Sequence, residues 1–412
     1  MSLPPILGRR GALGLTGATL LAGRARAADP TEVKIAMEVA LTGPWSQNGI
    51  GIQQGARMAI DEVNAAGGIK ALGGAKLTLI EIDAGDSAAK AKAAAQKMLA
   101  DHPDLSGGFG AWLSTFTLAI TEVTEPAELP WMTLSYSDTI TDRGMKYVFQ
   151  SSPTSSAQSE QFVRIVTDLA TKARGRKPKR IALVADNTAA SVSFLKPIHE
   201  HVLTDLNLTL TTEQIFVPPM TDATAIVQSL RQDVPDFVVL QTTTVPDDQK
   251  LLDGFFDFGL TSKRMPLIGT GGSWCVPDLI KAVGPDMMED LLVGLANWPG
   301  KKAAEIARRF VERTKQPWFG HDPSFGYAHV KILAAAIEQA GSADRRKIGA
   351  ALHSIDLHDG PADLFSNGRV SYDEKGRRRG AELCVVQYRN GVPLAVYPES
   401  IAVTEAVWPR PR

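Results

Sequence analysis

The residue patterns that suggest catalysis or nucleotide binding each lack a part that the chemistry needs. No Gly-Lys-Ser/Thr follows a glycine at P-loop spacing, and no G-x-S-x-G sequence occurs. His199 and His201 lie two residues apart on a predicted helix and face different sides, which does not suit a zinc site. Gly49, Gly51 and Gly55 resemble a loosened dinucleotide fingerprint, but they follow a long loop instead of a tight turn. We therefore expect no enzyme activity, no cofactor and no metal.

Polar and aromatic side chains gather instead in loops that directly follow predicted strands. These loop residues are Trp45, Gln47 and Asn48; residues 112–117; Ser135, Tyr136, Ser137 and Asp138; Thr242, Thr243 and Thr244; and Gly271, Gly272, Ser273 and Trp274. Because open α/β sheets bind ligands beyond the carboxyl ends of their strands, we expect these loops to converge on one small-molecule site.

Ser114 begins a predicted helix, and we expect its side chain to cap that helix. The free N–H groups beyond such a cap, together with the helix dipole, attract anions. The alternative is an ordinary cap without a ligand.

Strands and helices that alternate along the chain must position these loops. The first unit is a strand at 33–39, an amphipathic helix that Gly67-Gly68 ends, and a strand at 77–83. Further strands are predicted at 105–110, 131–134, 148–150, 181–185, 211–216, 237–241, 267–269, 383–388 and 393–397. Such alternation predicts an α/β fold with parallel central sheets that helices cover on both faces.

The alternation forms two series that split near residue 151, which predicts two Rossmann-like lobes. We assign residues 29–151 plus 292–364 to the first lobe and residues 152–291 plus 365–412 to the second. The helices after Leu291 follow too few strands to form a third domain, so we expect them to complete the first lobe.

The first 28 residues have the layout of an export signal. Arg9-Arg10 precedes an apolar stretch at 11–23, and a small-x-small site follows at 25–27. The paired arginines indicate the twin-arginine route, with cleavage near Ala27 or Ala28 and a periplasmic location. The apolar stretch is shorter than the roughly 20 residues that a membrane span needs.

Charge and cysteine content restrict the partners further. The net charge of -1 disfavours nucleic acid as a partner. Cys275 and Cys384 are too few for a metal cluster, and the sequence leaves open whether they form a disulfide.

Several stretches resemble type I periplasmic solute-binding proteins of the branched-chain amino acid and amide uptake branch. The sequences that carry the resemblance are TGPWSQNGIGIQQGARMAIDEVNAAGGI, DAGD at 83–86, GFGAWLSTFT, WMTLSYSDTITDRG and YDEKGRRRG. The resemblance implies two lobes joined by a three-crossover hinge that close on a small-molecule ligand. It also implies a monomer that delivers the ligand to the membrane subunits of an ABC permease. A ligand-sensing receptor of a signalling system, which uses the same fold, is the alternative.

The resemblance also assigns roles to single residues. It places Ser114 and the Leu113 backbone on a ligand carboxylate; Ser135 and Ser137 beside the amino or carboxyl end; Trp45 and Asn48 in the wall; Ala190 or Ser191 over the ligand; and Thr243 and Gly271 at further contacts.

Gly271 is a departure from the family pattern, because amino acid binders carry there an acid that pairs the ligand ammonium. A buried ammonium without a carboxylate is costly. Flat apolar walls are available from Trp45, Phe116, Tyr136 and Trp274. We therefore expect a carboxylate without an ammonium, either aromatic or aliphatic, with an ordinary amino acid as the alternative.

Overall fold

The structure is a computed structural model that describes Met1 and residues 30–408. The predicted signal peptide and its cleavage site near Ala27 or Ala28 lie outside the described residues. Within the described part of the chain, no helix is both long and apolar enough to cross a membrane.

Five parallel strands form the sheet of the first lobe, in the order β2-β1-β3-β4-β5. Their bounds are β1 Glu32–Val39, β2 Lys76–Asp83, β3 Leu105–Gly110, β4 Trp131–Thr133 and β5 Val148–Gln150. The central strand β3 is buried along its whole length, as expected for a parallel sheet that is covered on both faces.

Seven strands form the sheet of the second lobe, in the order β14-β13-β10-β9-β8-β6-β7. Their bounds are β6 Arg180–Asp186, β7 Thr209–Phe216, β8 Phe237–Gln241, β9 Leu267–Thr270, β10 Leu292–Leu295, β13 Cys384–Arg389 and β14 Val392–Tyr397. Strands β6 to β10 run parallel, and the hairpin β13–β14 adds two antiparallel strands at one edge. The small pair β11 (Asp356–Leu357) and β12 (Val370–Ser371) stands apart.

Helices cover both sheets. Their bounds are α1 Ser46–Ala65, α2 Ala88–Asp101, α3 Ser114–Thr124, α4 Thr139–Asp142, α5 Ser155–Arg174, α6 Ala189–Pro197, α7 Leu203–Asp205, α8 Thr224–Gln232, α9 Val245–Asp257, α10 Pro277–Val283, α11 Pro285–Met288, α12 Ala304–Thr314, α13 His321–Ala340 and α14 Arg345–Ser354.

Helices α1 and α13 pack unusually close together in the first lobe. A Cβ on Gly55 of α1 would lie 1.9 Å from the carbonyl oxygen of Pro323, and one on Gly326 of α13 would lie 2.1 Å from that of Ile52. Glycine at both positions lets the two backbones approach. This contact fixes the start of α13 beside the start of α1, which becomes important at the site.

The chain crosses between the lobes after β5, after β10 and before β13. The predicted boundary at 291/292 was wrong, because β10 follows it and pairs with β9 in the second sheet. The predicted boundary at 364/365 was also wrong, since Arg377 still bridges to Gln150 of β5 in the first sheet. Leu383 is the first later residue bonded to the second lobe, where its N–H donates to Gln161 Oε1.

Candidate functional site

The cleft lies where the strand order of each sheet reverses, between β1 and β3 in the first lobe and between β6 and β8 in the second. It holds about 440 Å³ of space that no atom fills. Its walls are Trp112, Leu113, Ser114, Leu134 and Tyr136 from the first lobe; Gln158, Ala190, Gln241, Thr242, Thr243, Thr270, Gly271, Gly272 and Ser273 from the second; and His321 and Asp322 at the start of α13.

Ser114 lines the cleft from the first turn of α3. The residue that caps this helix is Leu113 and not Ser114 as predicted, because the Ser114 backbone is already helical. Ser114 Oγ accepts hydrogen bonds from the backbone N–H of Tyr136 and of Ser137, at 3.2 and 3.1 Å. Its hydroxyl hydrogen is therefore directed elsewhere and can be donated to a carboxylate in the cleft.

The backbone at the start of α3 adds N–H donors beside the Ser114 hydroxyl. The first N–H groups bonded within the helix are those of Phe116 and Thr117, which both donate to Leu113 O. The N–H groups of Ser114 and Thr115 precede them, at the positive end of the helix dipole. Together with the Ser114 hydroxyl, they suit a negatively charged ligand group.

Asp322 also lines the cleft and was not predicted from the sequence. Its Oδ2 accepts a 2.7 Å hydrogen bond from Asn48 Nδ2, whereas its Oδ1 has no partner among the described residues. Asp322 is 4% exposed, and burial raises its pKa to about 7, against the opposing effect of the Asn48 bond. Burial also lowers the pKa of the neighbouring His321 to about 3, so this imidazole is neutral at pH 7.

Four more cleft residues carry a buried polar atom that no described protein group satisfies. These atoms are Trp112 Nε1, which is a donor, Gln158 Oε1, which is an acceptor, Ser273 Oγ and the two ring nitrogens of His321. Buried polar groups in native proteins nearly always have partners. Unpaired donors and acceptors from both lobes in one cleft suit a polar ligand.

Of the residues to which the resemblance assigns roles or walls, the structure brings six to the cleft wall. They are Leu113, Ser114, Tyr136, Ala190, Thr243 and Gly271. Asn48 does not line the wall, but it orients Asp322 from behind. Trp45 also lies outside the wall and spans the lobes instead, because its ring packs on Phe116 and its Nε1 donates to Thr243 Oγ1 at 3.4 Å.

Three predicted serines lie behind the cleft surface. Ser135 bonds to Thr117 beneath the β4 loop at 2.7 Å. Ser137 Oγ bonds to Ser193 Oγ across the lobes at 3.0 Å, and Ser191 Oγ donates to Asp186 at 2.6 Å. Each of these hydroxyls therefore supports a loop of the site from behind its surface.

Trp274 does not form the flat wall that we expected. It is fully buried in the core of the second lobe, and its ring fills the space above Gly269 of β9. Cys275 and Cys384 are both buried and free. Within the described residues, no group of three or more His, Cys, Asp or Glu side chains is placed to hold a metal ion.

Comparison with known proteins gives a consistent result. A family model described as periplasmic binding protein matches residues 32–392. The Leu/Ile/Val-binding protein homolog 7 of Brucella melitensis is 26% identical over 415 residues, which cover 97% of this chain and 99% of the relative.

Solved structures share the fold at lower identity. The substrate-binding protein LivJ of Streptococcus pneumoniae, solved with isoleucine, has a TM-score of 0.75 at 18% identity, over 89% of this chain and all of its own. An ABC transporter solute-binding protein from R. palustris, solved with benzoate, has a TM-score of 0.73 at 16% identity, over 91% of this chain and 99% of its own.

Proposed function

This chain belongs to the periplasmic binding protein family, and from that premise we propose that it captures a small carboxylate-bearing solute between its lobes and delivers it to an ABC-type permease. The family and the structural relatives are solute-binding proteins rather than enzymes, which confirms the expectation of no enzyme activity. The matching family model is described as periplasmic binding protein, and we place this protein in the periplasm.

The observation that carries the proposal is the cleft itself, with the Ser114 hydroxyl and the N-terminus of α3 in its wall. Hydrogen bonds from two backbone N–H groups leave the Ser114 O–H group free to donate. Trp112 Nε1 and Gln158 Oε1 also lack a described protein partner. The relatives solved with isoleucine and with benzoate both carry a carboxylate ligand, so the fold accepts amino acids as well as plain acids.

Replacing Ser114 with alanine tests the carboxylate site. A thermal-shift screen of aliphatic acids, aromatic acids and amino acids first identifies a ligand, because a native-state ligand raises the melting temperature. Calorimetry should then show that Ser114→Ala binds this ligand about 10- to 100-fold more weakly, since a hydrogen bond to a charged group contributes about 1.5–3 kcal/mol.

Ser87→Ala is the matched control, because Ser87 also stands at a helix start but lies outside the cleft. Its Oγ accepts from Lys90 N at 3.3 Å and caps α2. Its loss should lower stability by about 1 kcal/mol and leave affinity unchanged. Equal affinity of wild type and Ser114→Ala would remove Ser114 from the site.

Delivery to a permease is tested in the cell. Deleting the gene should abolish high-affinity uptake of the radiolabelled ligand identified in the screen, and the gene supplied in trans should restore it. Unchanged uptake in the deletion strain would contradict a transport role and favour the sensing alternative.

A further inference from the structure

A second cavity adjoins the cleft and shares part of its wall. It holds about 500 Å³ of space that no atom fills. Its walls come from both lobes, with α1 and the start of α13 on one side and residues 275–278 on the other. Gly272, His321 and Asp322 line both cavities, so these three residues form the partition between them. We call the second cavity the side chamber.

The partition is thin at Gly272. A Cβ there would lie 2.6 Å from Asp322 Oδ1, and the three atoms nearest to it would all belong to the Asp322 carboxyl group. The φ angle of Gly272 lies outside the left-handed region, so the backbone does not require glycine and the missing side chain matters for space. Rotation of the Asp322 side chain would therefore join the two cavities without a change in either backbone.

Little holds the Asp322 side chain in its present position. Its Oδ2 accepts one hydrogen bond from Asn48, and its Oδ1 has no partner among the described residues. Burial lowers the pKa of His321 to about 3 and raises the pKa of Asp322 to about 7, so the partition carries little charge near neutral pH. An apolar group can therefore pass the partition at a low electrostatic cost.

The side chamber is lined mainly by apolar side chains. They include Ile50, Val276, Phe310 and Trp318, and no lysine or arginine is among the described residues that line it. A second anionic group of a solute would lie there without a cationic partner, which is unfavourable. An apolar chain would instead gain free energy by leaving water. The side chamber therefore suits the apolar end of a solute.

We propose that the solute is an aliphatic acid whose chain is longer than the cleft, with its carboxylate at Ser114 and the end of its chain in the side chamber. The inference rests on the proposed function and deepens it. The chain passes the partition beside Gly272, where the Asp322 side chain moves aside. Each CH₂ group that leaves water should then raise the affinity about fourfold, the equivalent of about 0.8 kcal/mol.

A series of straight-chain acids tests this on the wild-type protein. Calorimetry with butanoate, octanoate and dodecanoate, each below its critical micelle concentration, should show the affinity rising at least about tenfold at each of the two steps. An affinity that stays level or falls over either step overturns the proposal.

Dodecanedioate tests the nature of the side chamber with a chain of the same length. Its second carboxylate would reach a chamber that offers no cation among the described residues. It should therefore bind at least about tenfold more weakly than dodecanoate. Equal affinities for the two compounds would overturn the placing of an apolar chain end in the side chamber.

Ile50→Glu then assigns the chain end to this chamber. Ile50 lines the side chamber but not the cleft, and its side chain is 41% exposed on α1, so the fold should tolerate the charge. The ratio of dodecanoate affinity to butanoate affinity should fall at least about tenfold in this variant, because a charge beside the chain end is unfavourable.

Phe256→Glu is the matched control for this substitution. Phe256 is 49% exposed on α9 and lines neither cavity, so the variant should keep the wild-type ratio of the two affinities. A wild-type ratio in Ile50→Glu as well overturns the proposal.

The two levels of the proposal fail in different ways. If compact acids bind and longer chains add nothing, the side chamber has no such role and the carboxylate-binding function stands. If no carboxylate of any kind binds in the thermal-shift screen, the proposed function fails and the inference fails with it. Because the series of acids needs no variant, a folding defect in Ile50→Glu does not affect it.

Discussion

Glu38 on β1 is another buried acid, and its ionisation affects the stability of the fold instead of ligand binding. The side chain is fully buried, and neither carboxyl oxygen has a partner among the described residues. Burial raises its pKa to about 9 from the ordinary value of 4.5. The folded protein therefore keeps a proton that the unfolded chain releases above about pH 4.5, so the free energy of unfolding falls as the pH rises between these values.

We expect Glu38→Gln to remove most of this pH dependence, because the amide is close in shape to the neutral acid and does not titrate. Urea unfolding of the wild type at pH 5.5 and at pH 8.5 should differ by on the order of 3 kcal/mol more than in the variant. Glu81→Gln is the control, since Glu81 is partly exposed and pairs with Arg57. Parallel pH profiles for wild type and Glu38→Gln would contradict the prediction.

The site residues that the sequence could predict are those whose position follows from strand order. Ser114, Tyr136 and Thr243 come soon after parallel strands, and such loops meet at one edge of a sheet. Asp322 follows no strand and enters the cleft only because α13 packs against α1, a tertiary contact that no local pattern reveals. Trp274 was placed in the cleft by the same loop rule, but packing over Gly269 buries it in the core.

At the scale of elements, the alternating pattern predicted most strands because each is flanked by turns and by helices of clear period. Strand β10, which has four residues and is fully buried, was missed. The third crossing was misplaced because only the pairing of Arg377 with Gln150 shows that the chain still lies with the first lobe.

The turn at Gly272 and the start of α13 must come close for the cleft to close. The φ angle of Gly272 lies outside the left-handed region, so alanine is tolerated locally, but its Cβ would lie 2.6 Å from Asp322 Oδ1. We expect Gly272→Ala to weaken ligand binding at least tenfold by calorimetry, because that contact obstructs closure.

Gly51→Ala is the control for this substitution. Gly51 also neighbours Asp322, but its Cβ would make ordinary contacts of 3.4 Å or more within the first lobe. Gly51→Ala should bind the ligand with the affinity of the wild type. If Gly272→Ala retains full affinity, the bound state does not need Gly272 and Asp322 to lie this close together.

At the scale of the whole molecule, a small number of neutral hydrogen bonds join the lobes across the cleft. Trp45 Nε1 donates to Thr243 Oγ1 at 3.4 Å, and Ala189 N donates to Thr115 Oγ1 at 3.3 Å. Each such bond contributes only about 0.5–1.5 kcal/mol, so a ligand that contacts both lobes can determine whether the closed form is populated.

The bond from Trp45 is the one that can be removed most cleanly. Trp45→Phe keeps an aromatic ring against Phe116 and deletes the N–H that reaches Thr243. Because the bond forms only when the lobes meet, its loss should weaken ligand binding about two- to tenfold with little change in the stability of the unliganded protein.

Trp131→Phe separates this effect from a general loss of packing. Trp131 Nε1 donates to Gly110 O at 2.6 Å within the first lobe, so its loss should lower the free energy of unfolding and leave affinity unchanged. Small-angle X-ray scattering should show the radius of gyration falling as solute is added to wild type, and Trp45→Phe should need more solute for the same change. If Trp45→Phe instead closes at the same solute concentration as the wild type, the bond between Trp45 and Thr243 does not stabilise the closed form. The ligand alone then drives the lobes together.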